Sequence, residues 1–182
     1  KNSNKFYDIK KTNTHCFGGT TTIVYNPIKN KTESQFLSLA GTLVNCGGGP
    51  TPWGSWITCE ETEFSKGVGI NKKHGYNFEV KATESVELFN ARPIKEMGRF
   101  RHEAIAFSAS GNYVYQTEDR EDGLFYRFIP NVLNDLSKGG KLQGLSLKKY
   151  RGPNTSNWKS DIFKVGDIHE VRWIDLNNVE SP

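Results

Sequence analysis

The chain has 182 residues, with 24 Lys and Arg against 20 Asp and Glu, a formal net charge of +4. That length can bury a real core in one ordinary domain or a split one. The basic residues are scattered, so no stripe for nucleic acid or a membrane surface is expected, and no apolar run is long enough to span a bilayer.

A net +4 is compatible with an anionic substrate. The opening run, KNSNKFYDIKK, lacks the apolar stretch of a signal peptide, so any export signal is expected to have been removed or to lie upstream. Three cysteines, Cys16, Cys46 and Cys59, are too few for a disulfide scaffold, and an odd number cannot all pair within one chain. The chain closes on a strand-like HEVRWIDL followed shortly by SP, so both ends read as truncated.

Eighteen glycines and seven prolines separate short runs rich in Val, Ile, Thr, Tyr, Phe and Trp, which is the pattern of an all-β chain with many turns. In chain order, strands are predicted near residues 20–25, 35–45, 56–60, 76–80, 86–89, 103–108, 113–118, 124–129, 145–150 and 170–176. The clearest local signal is ASGNYVYQTEDREDGLFYRFIP. Ser110-Gly111-Asn112 makes one turn and Asp122-Gly123 a second, so three consecutive strands form a meander. The segment NVLNDLSKGGKLQG, 131–144, reads as a polar insertion with one helical turn and a loop. Repeated meanders build a β-propeller, whose ring needs about 4 to 8 four-stranded blades, so some ten strands amount to two or three. A shallow sandwich is the competing architecture.

Three segments concentrate chemistry. In NCGGGPTPWGSWITCEE, 45–61, glycines and prolines set a tight loop that enters a strand ending in a thiol and two carboxylates. Strand alternation puts Cys59 and Glu61 on one face with Ile57, and Glu60 on the other with Trp56 and Thr58. A thiol beside carboxylates is a poor nucleophile unless a cation reverses that logic, and a metal ion accounts for Cys59, Glu60 and Glu61 together. The alternative is a small buried thiol with solvated glutamates.

In MGRFRHEAIA, Arg99, Arg101 and Glu103 share a face and His102 takes the other. A carboxylate opening the apolar strand EAIAF needs compensation, by a cation or by an ion pair of Glu103 with Arg99 or Arg101. His102 is a ligand or a satisfied structural histidine. In TEDREDG, the carboxylates of Glu118, Asp119, Glu121 and Asp122 surround Arg120 in a turn. Such a loop suits calcium, and Arg120 suits a phosphate, although a solvated acidic turn reads the same way. The spacing is not that of an EF-hand. Cys16 to Gly19 repeats the cysteine-glycine-glycine arrangement of Cys46 to Gly48, as equivalent turns in neighbouring blades would, and His74 and Glu79 have no evident partner.

Taken in order, CFGGTTT, NCGGGPTPWGSWITCEE, HGYNFEV, MGRFRHEA and TEDREDGLFYRF make the chain resemble the PhoX-type alkaline phosphatases along nearly its whole length. The resemblance implies a six-bladed β-propeller, exported to the periplasm or outside the cell, that hydrolyses phosphate monoesters with iron (Fe3+) and calcium (Ca2+) in its central funnel. It implies an iron-ligating cysteine at Cys59 and a ligating carboxylate at Glu103, with a further carboxylate and a phosphate-binding arginine near Arg120. The expected site is therefore Cys59, Glu60, Glu103, Glu118, Asp119 and Asp122 on metal, Arg120 in catalysis, and Arg120 with Arg101 on substrate.

Residues 1–182 are expected to be one partial propeller domain, all-β, of two to three blades. Ligands and basic residues that the family draws from later blades have no candidates after Pro130. The partners expected are a small phosphate ester and the missing blades, with an inactive fragment prone to poor solubility at its open sheet edge. The competing functions are a non-catalytic calcium-stabilised binding module and a propeller lactonase or esterase.

Overall fold

The computed structural model describes residues 3–9, 16–67, 69–159 and 162–181, so Lys1, Asn2 and Pro182, which figure in the reading of the chain ends, lie outside the described residues. The protein is all-β. Its strands are β1 (Gly18–Asn26), β2 (Lys31–Thr42), β3 (Asn45–Pro50), β4 (Ser55–Glu60), β5 (Asn77–Lys81), β6 (His102–Phe107), β7 (Val114–Glu118), β8 (Phe125–Pro130), β9 (Gly140–Leu147) and β10 (Val171–Asp175). The helical elements among the described residues are three single 3-10 turns, Ser3–Lys5, Lys95–Met97 and Leu136–Lys138, and none is long and apolar enough to cross a membrane.

The helical turn expected in 131–144 is Leu136–Lys138, but β9 begins at Gly140 inside the segment read as an insertion. Two further departures from the strand prediction have physical causes. The run 86–89 is not a strand; it touches β2 through a single bond from the Phe89 N–H to the Ser38 carbonyl. Conversely, Asn45–Pro50, read as a loop because it is glycine-rich, is β3. Glycine weakens a strand left to itself, yet it marks places where another backbone comes close. β3 is such a place. It lies between β4, its antiparallel partner, and β6, which it meets in parallel at Gly48 and Ala104. A Cβ at Gly47 would press on the Glu103 carbonyl, one at Gly48 would overlap the Ile57 carbonyl, and one at Gly49 would overlap that of Ile105.

β1 and β2 form a two-stranded antiparallel sheet, and the remaining strands run in the order β10-β9-β8-β7-β6-β3-β4-β5. That sheet consists of two antiparallel meanders, β3-β4-β5 and β6 through β10, joined at the parallel contact between their first strands. The meander predicted around the Ser110 and Asp122 turns is β6-β7-β8, and it continues into β9 and β10.

The main core joins Ile57 and Cys59 of β4 to Met97, Phe100, Val114, Tyr126, Phe128, Leu136 and Leu142. Phe100 stacks on Tyr126, with ring centroids 4.2 Å apart and planes 13° from parallel. A polar network crosses this core. Asn77 on β5 donates through Nδ2 to Gln116 Oε1 on β7 at 2.6 Å and to His102 Nδ1 on β6 at 3.2 Å. Gln116 donates to the Met97 carbonyl at 3.1 Å, and His102 Nε2 donates to the Gly98 carbonyl at 3.1 Å.

His102 is therefore a structural histidine with both ring nitrogens engaged. Burial pushes its pKa down to about 4, against the pull of the Gly98 carbonyl, so the imidazole is neutral. Replacing Gln116 by Ala leaves the enclosed Met97 carbonyl without this donor and Asn77 Nδ2 without this acceptor. The expected cost is about 1–3 kcal/mol, read as a lower denaturant midpoint at unchanged slope.

Candidate metal centre

Four backbone pairings bring distant acidic residues and a thiol together. In the β3–β4 register Cys46 stands opposite Cys59. Just past β4, Glu61 bridges to Arg101 ahead of β6, and the Asp119 N–H donates to the Arg101 carbonyl at 3.0 Å. Gly48 against Ala104 sets the start of β3 beside Glu103. The outcome is a half-buried cluster in which one donor atom each of Cys46, Glu61 and Glu103 lie within 4.8 Å of one another. Cys46 Sγ donates to Glu103 Oε1 at 3.2 Å, and Asp119 hydrogen-bonds Glu61.

The electrostatics of this cluster are those of an anionic cage. The Gly47 N–H favours the Cys46 thiolate, but the Glu103 and Glu61 carboxylates and partial burial outweigh it and push the thiol up. The Glu61 carboxyl is held above the ordinary range, chiefly because it shares a hydrogen bond with Asp119, with partial burial adding to it. A cation removes both penalties, since thiolate and carboxylate are then the favoured forms. A mixed sulfur and oxygen donor set on three separate segments fits a metal ion on its chemistry.

The structure places the other sequence candidates as follows. Cys59, expected as the sulfur ligand, is fully enclosed in the main core, where burial first and the nearby Cys46 and Glu103 next push its thiol up to about 12. The thiol within hydrogen-bonding reach of Glu103 is Cys46. Cys59 stands opposite Cys46 in the strand pair, but it packs within the hydrocarbon core, and Cys46, one strand over, meets the carboxylate. Glu60 is also fully enclosed and satisfied: it accepts from the backbone N–H groups of Leu43, Gly75 and Tyr76, and its Oε1 meets His74 Nδ1 at 2.7 Å.

Glu118 accepts from the Leu124 N–H at 3.1 Å and the Tyr126 hydroxyl at 2.7 Å, closing the turn before β8. Asp122 and Arg120 form an exposed ion pair at 3.1 Å, and Arg120 also reaches Glu63 at 3.3 Å. Arg101 is exposed and lends its backbone to the bridge with Glu61. Arg99 pairs with neither Glu103 nor any other carboxylate among the described residues; it is buried and donates to the His74, Glu63 and Phe64 carbonyls and the Ser65 hydroxyl. Glu79 accepts from Trp53 Nε1 at 2.6 Å and the Ser55 hydroxyl at 2.5 Å.

Of the expected metal set, Glu103 and Asp119 are thus brought together, and Cys46 and Glu61 join them. The signal for Cys46 was its glycine-rich company, in which only small residues let two strands crowd it. Glu61 was marked by its place beside Cys59 and Glu60 in the TCEE run, although β4 itself ends at Glu60.

An open all-β sheet bearing a thiol and carboxylate cage defines a candidate metalloprotein. The chain belongs to the alkaline phosphatase PhoX family, whose pattern it matches over residues 7–181. No curated protein matches it. A similar solved structure is Pseudomonas fluorescens PhoX in complex with vanadate, a transition state analogue, at 20% identity and a TM-score of 0.44, covering 71% of this chain. The chain spans 32% of the length of that structure.

Proposed function

We propose that this chain contributes one wall of the metal centre of a phosphomonoesterase, with Cys46, Glu61 and Glu103 as its ligands and Asp119 steadying Glu61. The observation that carries this reading is the 3.2 Å approach of the Cys46 thiol to the Glu103 carboxylate within the cluster that Glu61 completes. Iron (Fe3+) with calcium (Ca2+), the ions the resemblance implies, would supply Lewis acidity toward phosphoryl oxygens. The chain's own share is to hold a thiolate and two carboxylates at fixed spacing on three paired segments, sparing reorganisation when charge develops.

Arg120 is the phosphate-binding candidate, with Arg101 brought near it by the bond from the Asp119 N–H to the Arg101 carbonyl. Its guanidinium is held by Glu63 and Asp122 at the surface, so a phosphate would compete with two carboxylates for the same fork of donors. Cys59 is a structural thiol in this reading, and Glu60 and Glu118 shape the backbone.

The architecture we infer is a propeller portion. β3 and β6 each begin a meander and run parallel at their contact, as the first strands of adjacent blades do around a shared axis. β5 and β10 then lie at the outer ends of the two blades, and further blades would pack face to face beside them around the same axis. Three donors are fewer than calcium's usual six to eight oxygens, so the chain by itself is proposed to bind iron but not to turn over substrate. The test is a phosphomonoester assay on the isolated chain with iron and calcium added. Bound iron with a thiolate colour and no turnover is the expected result, and steady turnover by this chain alone refutes the division of labour.

A further inference from the structure

A second group of donors shares no residue with the Cys46 cluster. Asp8, Cys16 and His74 are all buried, at 2%, 4% and 0% exposure, and offer donor atoms within 4.8 Å of one another. We propose that these three residues supply three of the four ligands of a structural site for zinc. Cys16 Sγ lies 3.9 Å from His74 Nε2, and Asp8 Oδ2 lies 3.3 Å from that same nitrogen. Tetrahedral zinc, with bonds of about 2.3 Å to sulfur and 2.0–2.2 Å to nitrogen and oxygen, sets such donors roughly 3.3–3.6 Å apart. The sulfur–nitrogen separation needs only a slight contraction, and the sulfur–carboxylate separation lies within 4.8 Å.

The surroundings are arranged as around a bound ion. His74 Nδ1 meets Glu60 Oε1 at 2.7 Å, so the ring donates there and turns its Nε2 lone pair toward Asp8 and Cys16, the carboxylate-histidine relay that orients zinc-ligating histidines. Glu60 is itself fixed by three backbone N–H groups. Asp8 Oδ2 accepts from the N–H groups of Asn71 and Lys72 at 2.9 and 3.0 Å, which fixes the carboxylate. Its other oxygen, Oδ1, is enclosed and has no hydrogen-bond partner. A buried carboxylate oxygen without a donor is costly, and a cation beside it removes that cost. Thiolate, imidazole and carboxylate together are a borderline-soft set that suits zinc over calcium or magnesium.

Such an ion ties the segment around Asp8 and Cys16 to the stretch after β4 that carries His74. The competing account of the same geometry is metal-free: a protonated His74 bridging the Asp8 and Glu60 carboxylates.

The experiment uses the full chain carrying Cys46→Ala, which silences the other cluster, stripped of metal and titrated with cobalt(II) and then zinc(II). Expected are one metal per chain, a near-ultraviolet thiolate-to-cobalt charge-transfer band with tetrahedral visible bands, displacement of cobalt by zinc, and a higher thermal midpoint with zinc. Adding Cys16→Ser, which keeps the side-chain volume, removes the thiolate band, and adding Glu60→Gln instead weakens zinc binding by about 10- to 100-fold. Circular dichroism confirms that each variant is folded. A folded Cys46→Ala chain that binds neither metal, or whose thiolate band survives Cys16→Ser, overturns the site and leaves the bridging imidazolium. The iron centre is read in the unsubstituted chain, so either proposal can fail alone.

Discussion

Cys46→Ala is expected to abolish the thiolate-to-iron colour of the proposed centre in the reconstituted chain and to weaken iron binding by more than about 100-fold, beyond the 10- to 100-fold typical of losing an outer-shell partner. Cys59→Ala is expected to keep the colour. Its thiol is fully enclosed among Ile57, Met97, Phe100 and their neighbours, so the loss falls on packing, about 1–2 kcal/mol for removing one buried group of that size. The two substitutions thus separate a ligand from a core residue although the cysteines face each other across one strand pair. Iron titration followed by absorbance, alongside urea unfolding, reads both effects. Colour lost on removing Cys59 and retained on removing Cys46 would reverse the assignment.

Gly48→Ala is expected to cost more than any other single change at the site, roughly 2–6 kcal/mol, adding about 1–3 for a strained backbone to about 1–3 for overpacking. Gly48 has φ +89, and a Cβ there overlaps the Ile57 carbonyl and crowds Trp56. Either β3 moves off β4 or the β3–β6 contact at Gly48 and Ala104 opens. Both would separate Cys46 from Glu103, so iron binding is lost together with stability. Gly54→Ala is the control. Its φ is +79, but nothing lies within 4 Å of the added carbon, so only the left-handed strain of about 1–2 kcal/mol applies. Equal destabilisation of the two variants in guanidinium titrations would show that close packing around β3 is not what holds the centre together.

Some of this architecture was legible in the residues. Alternating aromatic and β-branched runs with turns at Ser110 and Asp122 specified the β6-β7-β8 meander, because a period of two and local turn chemistry are short-range properties. The carboxylate of Glu103 at the mouth of EAIAF was identified as needing compensation for the same local reason, since an acid opening an apolar strand is costly wherever that strand lies. β3 was not legible. Its glycines look like a loop until two flanking backbones, β4 and β6, are close enough to require them. The apolar run 86–89 failed in the opposite sense, having strand-like composition but one backbone bond to β2 rather than a ladder.

Composition and order of motifs by themselves determined the all-β class, the family, and the presence of a thiol and acids suited to a cation. They did not determine which thiol meets which acid. That was decided by the register of β3 on β4, the bridge of Glu61 to Arg101 and the parallel contact of β3 with β6. The same holds for Asp8, Cys16 and His74, which lie up to 66 residues apart and share one buried point. Side-chain alternation names a face for each residue within its own strand, but donors from different segments converge only through pairing between strands. A shift of one residue in that pairing would send each side chain to the opposite face.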